Sequence, residues 1–102
     1  MDTQPPCGQK FSLGKVVATA GALAELEQSG QQPAEFLARH QNGDWGELCA
    51  QDAHLNDRAL VDGSRILSVY LTHAGSRLWV ITDAEDAVGQ RNCTTLLLPQ
   101  EY

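Results

Sequence analysis

The hydrophobic periodicity of this 102-residue chain changes at Gly63, and that change limits its fold more than any other feature. Before Gly63, apolar residues recur at the three- and four-residue spacings of helices. After it, residues 65–72 and 77–82 form two runs that alternate and are rich in β-branched and aromatic side chains. Residues 73–76 separate the runs and are short enough for a hairpin turn. The sequence therefore predicts helices followed by an antiparallel sheet.

Three helices are predicted in the first part of the chain. Thr19 is a suitable N-cap for the first helix, and Gly30 is a suitable C-terminal stop. Pro33 fits the first turn of the second helix, which we expect to end at Asn42 and Gly43. The third helix is predicted over 50–61.

Two further strands complete the predicted architecture. A short strand at 15–18 precedes the first helix, and a strand at 93–98 is ended by Pro99. We therefore predict an α+β fold with a short N-terminal strand, three helices and a three-stranded antiparallel meander with the helices on one face. Residues 11–102 form the single domain, after a flexible tail at 1–10.

Strand alternation divides the predicted sheet into two faces. The face expected against the helices carries Leu67, Val69 and Leu71. The opposite face is semi-polar and is expected to carry Ile66, Ser68, Tyr70, Thr72 and Thr82, with Trp79 or Arg77. Such a face is a platform for a partner or a single-stranded substrate, or else a covered or solvated surface.

The net charge of −6 is concentrated in the middle of the chain. Between Asp44 and Asp62 there are five acids and one base, Arg58, which gives −4 of the total. This charge repels phosphate backbones, so direct nucleic-acid binding is not expected, and it favours a protein partner with a basic surface. A solvated face is the alternative. The candidate partner-binding residues are Asp44, Glu47, Asp52, Asp57 and Asp62.

Other patterns point to a cytoplasmic protein without a metal or cofactor. Apolar runs such as 95–98 are far shorter than the roughly 18 to 20 residues that span a bilayer, and the acidic N-terminus is unlike a signal peptide. Cys7, Cys49 and Cys93 have no metal-site spacing and are expected to be free thiols. The three histidines have no metal-binding spacing, and phosphate-binding glycine loops and nucleophile motifs are absent.

The stretch "RHQNGDWGE", residues 39–47, has the residue types of a reaction centre but is better explained as structure. Gly43 can end a helix in the left-handed conformation, and Asp44 can accept N–H groups in the next turn. Trp45 can anchor the segment to the core, and Gly46 allows close approach of another chain segment.

Two further polar residues are expected to support this segment. His40 is predicted on the inward face of the second helix, where it would hydrogen-bond a backbone carbonyl or Asp44. Asn56 is predicted at an inward position of the third helix, from which its amide could bind the loop around Trp45.

An ordered set of segments resembles a family of short bacterial proteins labelled hypothetical or plasmid-related, and sometimes as a restriction-enzyme subunit. The segments are "LGKVVATAGAL", "FLARHQNGDWGEL", "NDRAL", "RILSVY", "LWVITDAED" and "TTLLLPQEY". The resemblance covers nearly all of 13–102, and 87–92 looks like a variable insertion. The family brings no established activity. It implies association with plasmids and other mobile elements, and hence accessory or anti-defence roles.

Three functions compete on these patterns. The first is a non-enzymatic antagonist of a host nucleic-acid-binding defence factor, of the anti-CRISPR or anti-restriction type, that acts through its acidic surface. The second is a metal-free ribonuclease-like toxin of barnase-like outline, in which His40, Glu47, Arg65 and Arg77 would supply the acid, base and phosphate-binding groups. The third is a homo-oligomeric module, such as a homodimer, joined through an edge strand or a sheet face.

Overall fold

The structure, a computed structural model, describes residues 9–102. Strands and helices follow the predicted order. The elements are β1 (Lys15–Ala18), α1 (Ala20–Ser29), α2 (Pro33–Gln41), α3 (Ala50–Asp62), β2 (Ile66–Leu71), β3 (Arg77–Thr82), β4 (Cys93–Leu97) and a terminal 3-10 turn (Pro99–Glu101).

The helix ends have the local causes that the sequence indicates. Thr19 Oγ1 accepts the N–H of Ala22 at 3.1 Å and so caps the start of α1. Gly30 and Gly63 end α1 and α3 with φ angles of 70° and 82°, in the left-handed region that glycine adopts without steric cost. Pro33 begins α2, where its missing N–H leaves no helical hydrogen bond unmade.

The sheet is mixed and has four strands, which corrects the predicted three-stranded meander. Its strand order is β1-β4-β3-β2. β2, β3 and β4 pair antiparallel as expected, but β1 joins the sheet parallel to β4, with Lys15 beside Cys93. The three helices and the meander form the long connection that a parallel pair requires. The sequence of the short strand at 15–18 does not indicate its pairing partner, because strands that pair across 78 residues share no local pattern.

The predicted assignment of the two faces of β2 is reversed. Ile66, Ser68 and Tyr70 are fully buried and face the helices, whereas Leu67 and Val69 lie on the opposite, outer face. The reason is that the inner face supplies partners for its polar groups. Ser68 bonds His40, and the hydroxyl of Tyr70 donates to the carbonyl of Asp44 at 2.6 Å. Hydroxyls that are satisfied in this way can be buried at little cost.

The core lies between the helices and the inner face of the sheet, in two adjoining clusters. The first cluster consists of Ala22, Leu26, Phe36, Tyr70, Leu78, Val80 and Leu96. The second consists of Phe11, Trp45, Ala59 and Ile66. The second cluster joins α3 to the segment between α2 and α3, and so it positions that segment against the edge of β2.

Most of the predicted tail, residues 1–8, lies outside the described residues. Its last residue, Lys10, is joined to α2, because the Lys10 N–H donates to the carbonyl of Gln41 at 2.7 Å. In the part of the chain that the structure describes, no helix is long and apolar enough to cross a membrane.

Candidate functional site

The segment 42–47 forms a tight connection between α2 and α3. Gly43 and Gly46 have φ angles of 85° and 76°. Asp44 is held between two groups: its Oδ2 accepts the Arg39 Nε at 2.7 Å, and its Oδ1 accepts the Gly46 N–H at 3.1 Å. The hydrogen bond from Arg39 is the main cause that lowers the pKa of Asp44. The pair is exposed, so it orders the turn more than it stabilises the fold.

The same segment covers the outer edge of β2. The Val69 N–H donates to the carbonyl of Trp45 at 3.1 Å, and the Glu47 N–H donates to the carbonyl of Val69 at 2.6 Å. Gly46 lies opposite Val69 in a parallel bridge, and a Cβ at Gly46 would overlap the Val69 carbonyl oxygen. Gly46 is therefore required by the close approach of two backbones.

Trp45 fixes this segment to the core. Its ring is 7% exposed and stacks near Phe11, with 6.3 Å between the ring centroids. Its indole N–H donates to Asp57 Oδ1 on α3 at 3.1 Å, so the polar atom of the buried ring has a partner. Asp57, a predicted partner-binding residue, therefore also holds the segment to α3.

Asn56 has a different role from the predicted one. Its Nδ2 donates to the Leu67 carbonyl at 2.6 Å, and its Oδ1 accepts the Leu67 N–H at 3.2 Å. The side-chain amide thus imitates a neighbouring strand at Leu67 and binds α3 to β2, whereas the sequence suggested a bond to the loop around Trp45. Asn56 and the segment 45–47 together satisfy the outward backbone groups of Leu67 and Val69.

His40 is completely buried and does not bond Asp44 or a backbone carbonyl, which corrects the expectation for it. Its Nδ1 lies 2.6 Å from Ser68 Oγ, and its Nε2 lies 2.9 Å from Thr82 Oγ1. Thr82 Oγ1 lies 2.7 Å from Thr94 Oγ1. The imidazole therefore connects α2 to three neighbouring strands of the sheet.

The direction of this hydrogen-bond chain follows from its last member. Thr94 Oγ1 donates its only proton to the Leu13 carbonyl at 2.8 Å, so it must accept from Thr82. Thr82 has then used its own proton and must accept from Nε2 of His40. Nδ1 is consequently the acceptor and takes the proton of Ser68. The neutral tautomer of His40 with its proton on Nε2 therefore allows all four side chains, Ser68, His40, Thr82 and Thr94, to form their hydrogen bonds.

Burial makes His40 a poor proton carrier. Desolvation lowers its pKa to about 3, and the positive charge of Arg91 acts in the same direction. The Ser68–His40 contact has the spacing of a nucleophile and its base, but both side chains are 0% exposed. The arrangement orders the core and gives a substrate no access to either group.

The structure does not bring together the four residues of the ribonuclease hypothesis. His40 is buried between α2, to which it belongs, and the inner face of the sheet. Arg65 and Arg77 fall on the outer face by strand alternation, at opposite ends of β2, because Arg77 pairs with Leu71. Six residues of strand, on the order of 20 Å, separate the two arginines along β2. Glu47 lies at the outer edge of β2.

The five candidate partner-binding acids, Asp44, Glu47, Asp52, Asp57 and Asp62, are all exposed. Three of them lie on α3 at intervals of five residues, and each interval turns the side chain by about 140° around the helix. The carboxylates of Asp52, Asp57 and Asp62 therefore point in different directions from the exposed side of α3. The side chain of Ser64 is the main cause that lowers the pKa of Asp62, and the Ser64 N–H, which donates to Asp62 Oδ1 at 2.9 Å, acts in the same direction.

Arg91 is a structural residue that the sequence reasoning missed. Its side chain is 6% exposed, and its guanidinium donates to the carbonyls of Ala59, Ser64 and Asp83 at 2.7–3.0 Å. It thereby joins the last turn of α3 to the start of β2 and the end of β3. Nothing in the sequence distinguishes it, because it lies in a polar loop and binds only backbone carbonyls.

An open cleft of about 500 Å³ lies next to Arg91, between residues 10–14 and 85–92. Its charged lining residues are Lys10, Glu85 and Arg91, and the guanidinium of Arg91 is already bonded to three backbone carbonyls. In the described residues 9–102, no group of three or more His, Cys, Asp or Glu side chains could hold a metal ion. Cys49 is exposed and Cys93 is half-buried, and both are free thiols.

No protein-family model, curated protein or solved structure gives a significant match to this chain. The resemblance to plasmid-related bacterial proteins therefore stays a prediction that rests on the quoted segments alone.

Proposed function

We propose that this chain is a small, acidic, non-enzymatic interaction protein of mobile genetic elements. In this proposal it antagonises a host nucleic-acid-binding defence factor, of the CRISPR or restriction type, by placing carboxylates on that factor's basic surface. The observation that carries the proposal is the exposed acidic segment from Asp44 to Asp62, which has little compensating positive charge.

The charges of this segment are largely unneutralised. Among residues 9–102 the structure contains a single ion pair, between Arg39 and Asp44. Glu47 and Asp52 are exposed, and their carboxylates accept no hydrogen bond from the described residues. Exposed carboxylates without partners attract a basic surface at long range and can occupy a groove that otherwise binds phosphates.

The acids of α3 are spread over its exposed side instead of forming a flat patch, and this favours a concave partner. Asp52, Asp57 and Asp62 point in three directions, so a groove that curves around the exposed side of α3 could contact all of them. A nucleic-acid-binding groove carries Lys and Arg, and the exposed side of α3 could lie in it with its carboxylates towards those residues.

The experiment compares two double variants with equal net charge. Glu47→Lys with Asp52→Lys reverses two acids of the segment that accept no hydrogen bonds, and changes the formal net charge from −6 to −2. The control, Glu27→Lys with Asp83→Lys, makes the same change at two exposed acids outside the segment. Thermal unfolding of both variants verifies that each is folded.

The wild-type protein is used to capture proteins from a bacterial host, and each captured protein is tested for loss of DNA or RNA binding when the wild type is added. We expect a nucleic-acid-binding protein whose binding is inhibited by the wild type and the control, and at least about tenfold less by the segment variant. Equal inhibition by both double variants would overturn the acidic-segment mechanism. Captured proteins that keep their nucleic-acid binding would overturn the proposed function.

A further inference from the structure

The edge of the sheet at β1 has backbone groups without a neighbouring strand. The N–H groups of Lys15 and Thr19 donate towards β4, to the carbonyls of Asn92 and Leu96, each at 3.0 Å. Because backbone groups alternate in direction along a strand, the N–H and C=O groups of Val16 and Ala18 point away from β4. No described residue bonds these outward N–H groups, so the edge can accept a further strand.

The side chains along this edge are apolar and exposed. Val16 is 42% exposed and Val17 is 37% exposed, on opposite faces of the sheet. The next element, α1, carries Leu23, which is 50% exposed. An edge strand with exposed β-branched residues is a template for strand addition.

We propose that two copies of this chain pair through β1, antiparallel about a two-fold axis at Val17, to form a continuous eight-stranded sheet. In this register Val16 of one protomer exchanges two backbone hydrogen bonds with Ala18 of the partner subunit, and symmetry repeats the exchange. The two copies of Val17 then face each other as a closely spaced pair on the outer face.

Charge complementarity selects the second copy as the occupant. The same register places Lys15 opposite Thr19 of the partner subunit. Thr19 Oγ1 donates to Glu101 Oε1 at 2.5 Å within each protomer, so Glu101 is held beside this position. That hydrogen bond is the main cause that lowers the pKa of Glu101, which favours its charged form. Each Lys15 would therefore meet a carboxylate across the interface, twice in the dimer.

A short edge strand with a lysine is also a common protection against association. The two cases differ in what the lysine faces. A protective lysine places its charge where an added strand leaves it without a counter-ion, whereas Lys15 meets Glu101 when the added strand is β1 of a second copy. Lys15 therefore disfavours pairing of β1 with other strands and favours pairing with β1 of a second copy.

The test is the solution mass of the full chain by sedimentation equilibrium, over about 1–500 µM, where a weak interface populates its dimer. We expect a mass that rises from 11.1 kDa towards twice that value. Val17→Lys places two like charges in direct opposition and should raise the dimer dissociation constant at least about tenfold. The matched control is Val61→Lys on α3, at a valine that is 90% exposed, and it should leave the constant unchanged.

A double-mutant cycle tests the register. Lys15→Glu should weaken the dimer about tenfold in the wild-type background but only slightly in a Glu101→Gln background, because glutamine keeps an acceptor for the Thr19 hydroxyl and leaves no carboxylate to repel the new acid. A monomer at every concentration would overturn the proposal, as would a dimer that Val17→Lys leaves intact. An equal effect of Lys15→Glu in both backgrounds would overturn the antiparallel register.

Discussion

The two edges of the sheet differ in whether their outward backbone groups have hydrogen-bond partners. At β2, the outward backbone groups of Leu67 bond the amide of Asn56, and those of Val69 bond the chain at 45–47. At β1, the outward groups of Val16 and Ala18 have no such partner among the described residues. One edge is closed by parts of its own chain and the other is left open.

The difference explains why one edge needs a distinctive sequence and the other does not. The closed edge requires a glycine at 46, an asparagine at 56 and a tryptophan at 45 that holds the segment down. The open edge requires only a few β-branched residues. The stretch 39–47, which resembles a reaction centre by composition, is therefore the cover of the β2 edge.

The largest effect is expected from opening the closed edge at Gly46. Gly46→Ala introduces a Cβ at a φ of 76° that would overlap the Val69 carbonyl and lie 2.7 Å from Tyr70 Cδ1. The left-handed conformation costs roughly 1–2 kcal/mol, and overpacking typically adds about 1–3 kcal/mol. Urea unfolding should show a loss of about 3 kcal/mol or more.

Gly89→Ala is the matched control for this prediction. Its φ of 80° is similar, but nothing lies within 4 Å of the added Cβ. It should therefore show only the conformational cost of about 1 kcal/mol. If the two alanine variants lose equal stability, the close approach of Gly46 to Val69 does not contribute to the fold.

Proline substitutions compare how much a backbone N–H contributes to stability at each edge. Val69→Pro removes an N–H that donates to the Trp45 carbonyl, and should destabilise the protein by about 2–3 kcal/mol. Val16→Pro removes an N–H that points away from the sheet, and should cost less than about 1 kcal/mol in the monomer. Thermal unfolding at low protein concentration measures both. A Val16→Pro cost as large as that of Val69→Pro would show that the β1 edge is also covered.

The sequence predicts the elements well because their signals are local. Thr19, Gly30 and Pro33 mark helix ends through their own backbone chemistry, and the structure agrees at each. The pairing of β1 with β4 could not be predicted in this way, because it depends on where the intervening helices bring two distant segments.

The faces of the sheet were predicted wrongly because alternation does not specify which set of residues is buried. Leu67 and Val69 are more apolar than Ser68 and Tyr70, so hydrophobicity alone assigned them to the core. His40 and the carbonyl of Asp44 reverse that preference by satisfying the hydroxyls of Ser68 and Tyr70. The pattern of α2 predicts His40 on its inward face, but the partners of His40 lie 28 and 42 residues away and leave no local pattern to find.

The His40 chain links the two edges, and acid should weaken it. It runs from Ser68 on β2 to the carbonyl of Leu13, next to β1. The pKa of His40 is about 3 in the folded protein and about 6.5 when unfolded, so the unfolded state binds the proton first. Stability is therefore full above pH 6.5 and falls as the pH drops from there towards 3.

Between pH 7 and pH 5 the loss attributable to His40 should be about 2 kcal/mol. Urea unfolding at the two pH values measures it. His40→Gln removes the titrating group and should abolish most of the pH dependence, whatever its effect on stability at pH 7. His54→Gln, at an exposed histidine of α3, is the matched histidine-to-glutamine control. An unchanged pH dependence in His40→Gln would mean that His40 is not buried as a neutral group.

The smallest effect is expected at the indole N–H that holds the cover of β2 in place. Trp45→Phe keeps an aromatic ring in the second core cluster but removes the hydrogen bond to Asp57, and should cost about 1–2 kcal/mol. Trp79→Phe is the matched control, because Trp79 lies on the outer face and its indole makes no hydrogen bond to the described residues.

Hydrogen exchange distinguishes the two tryptophan substitutions by which amides lose protection, in addition to how much stability each substitution removes. Losing the Trp45 bond should speed exchange of the Val69 amide, since that amide depends on the Trp45 carbonyl staying in place. In Trp79→Phe, exchange of the Val69 amide should change only as much as the free energy of unfolding of that variant changes. Because β1 has no equivalent cover, neither variant should alter exchange at Val16. If exchange at Val69 changes no more than the global stability of the variant does, the segment 45–47 is not a local cover.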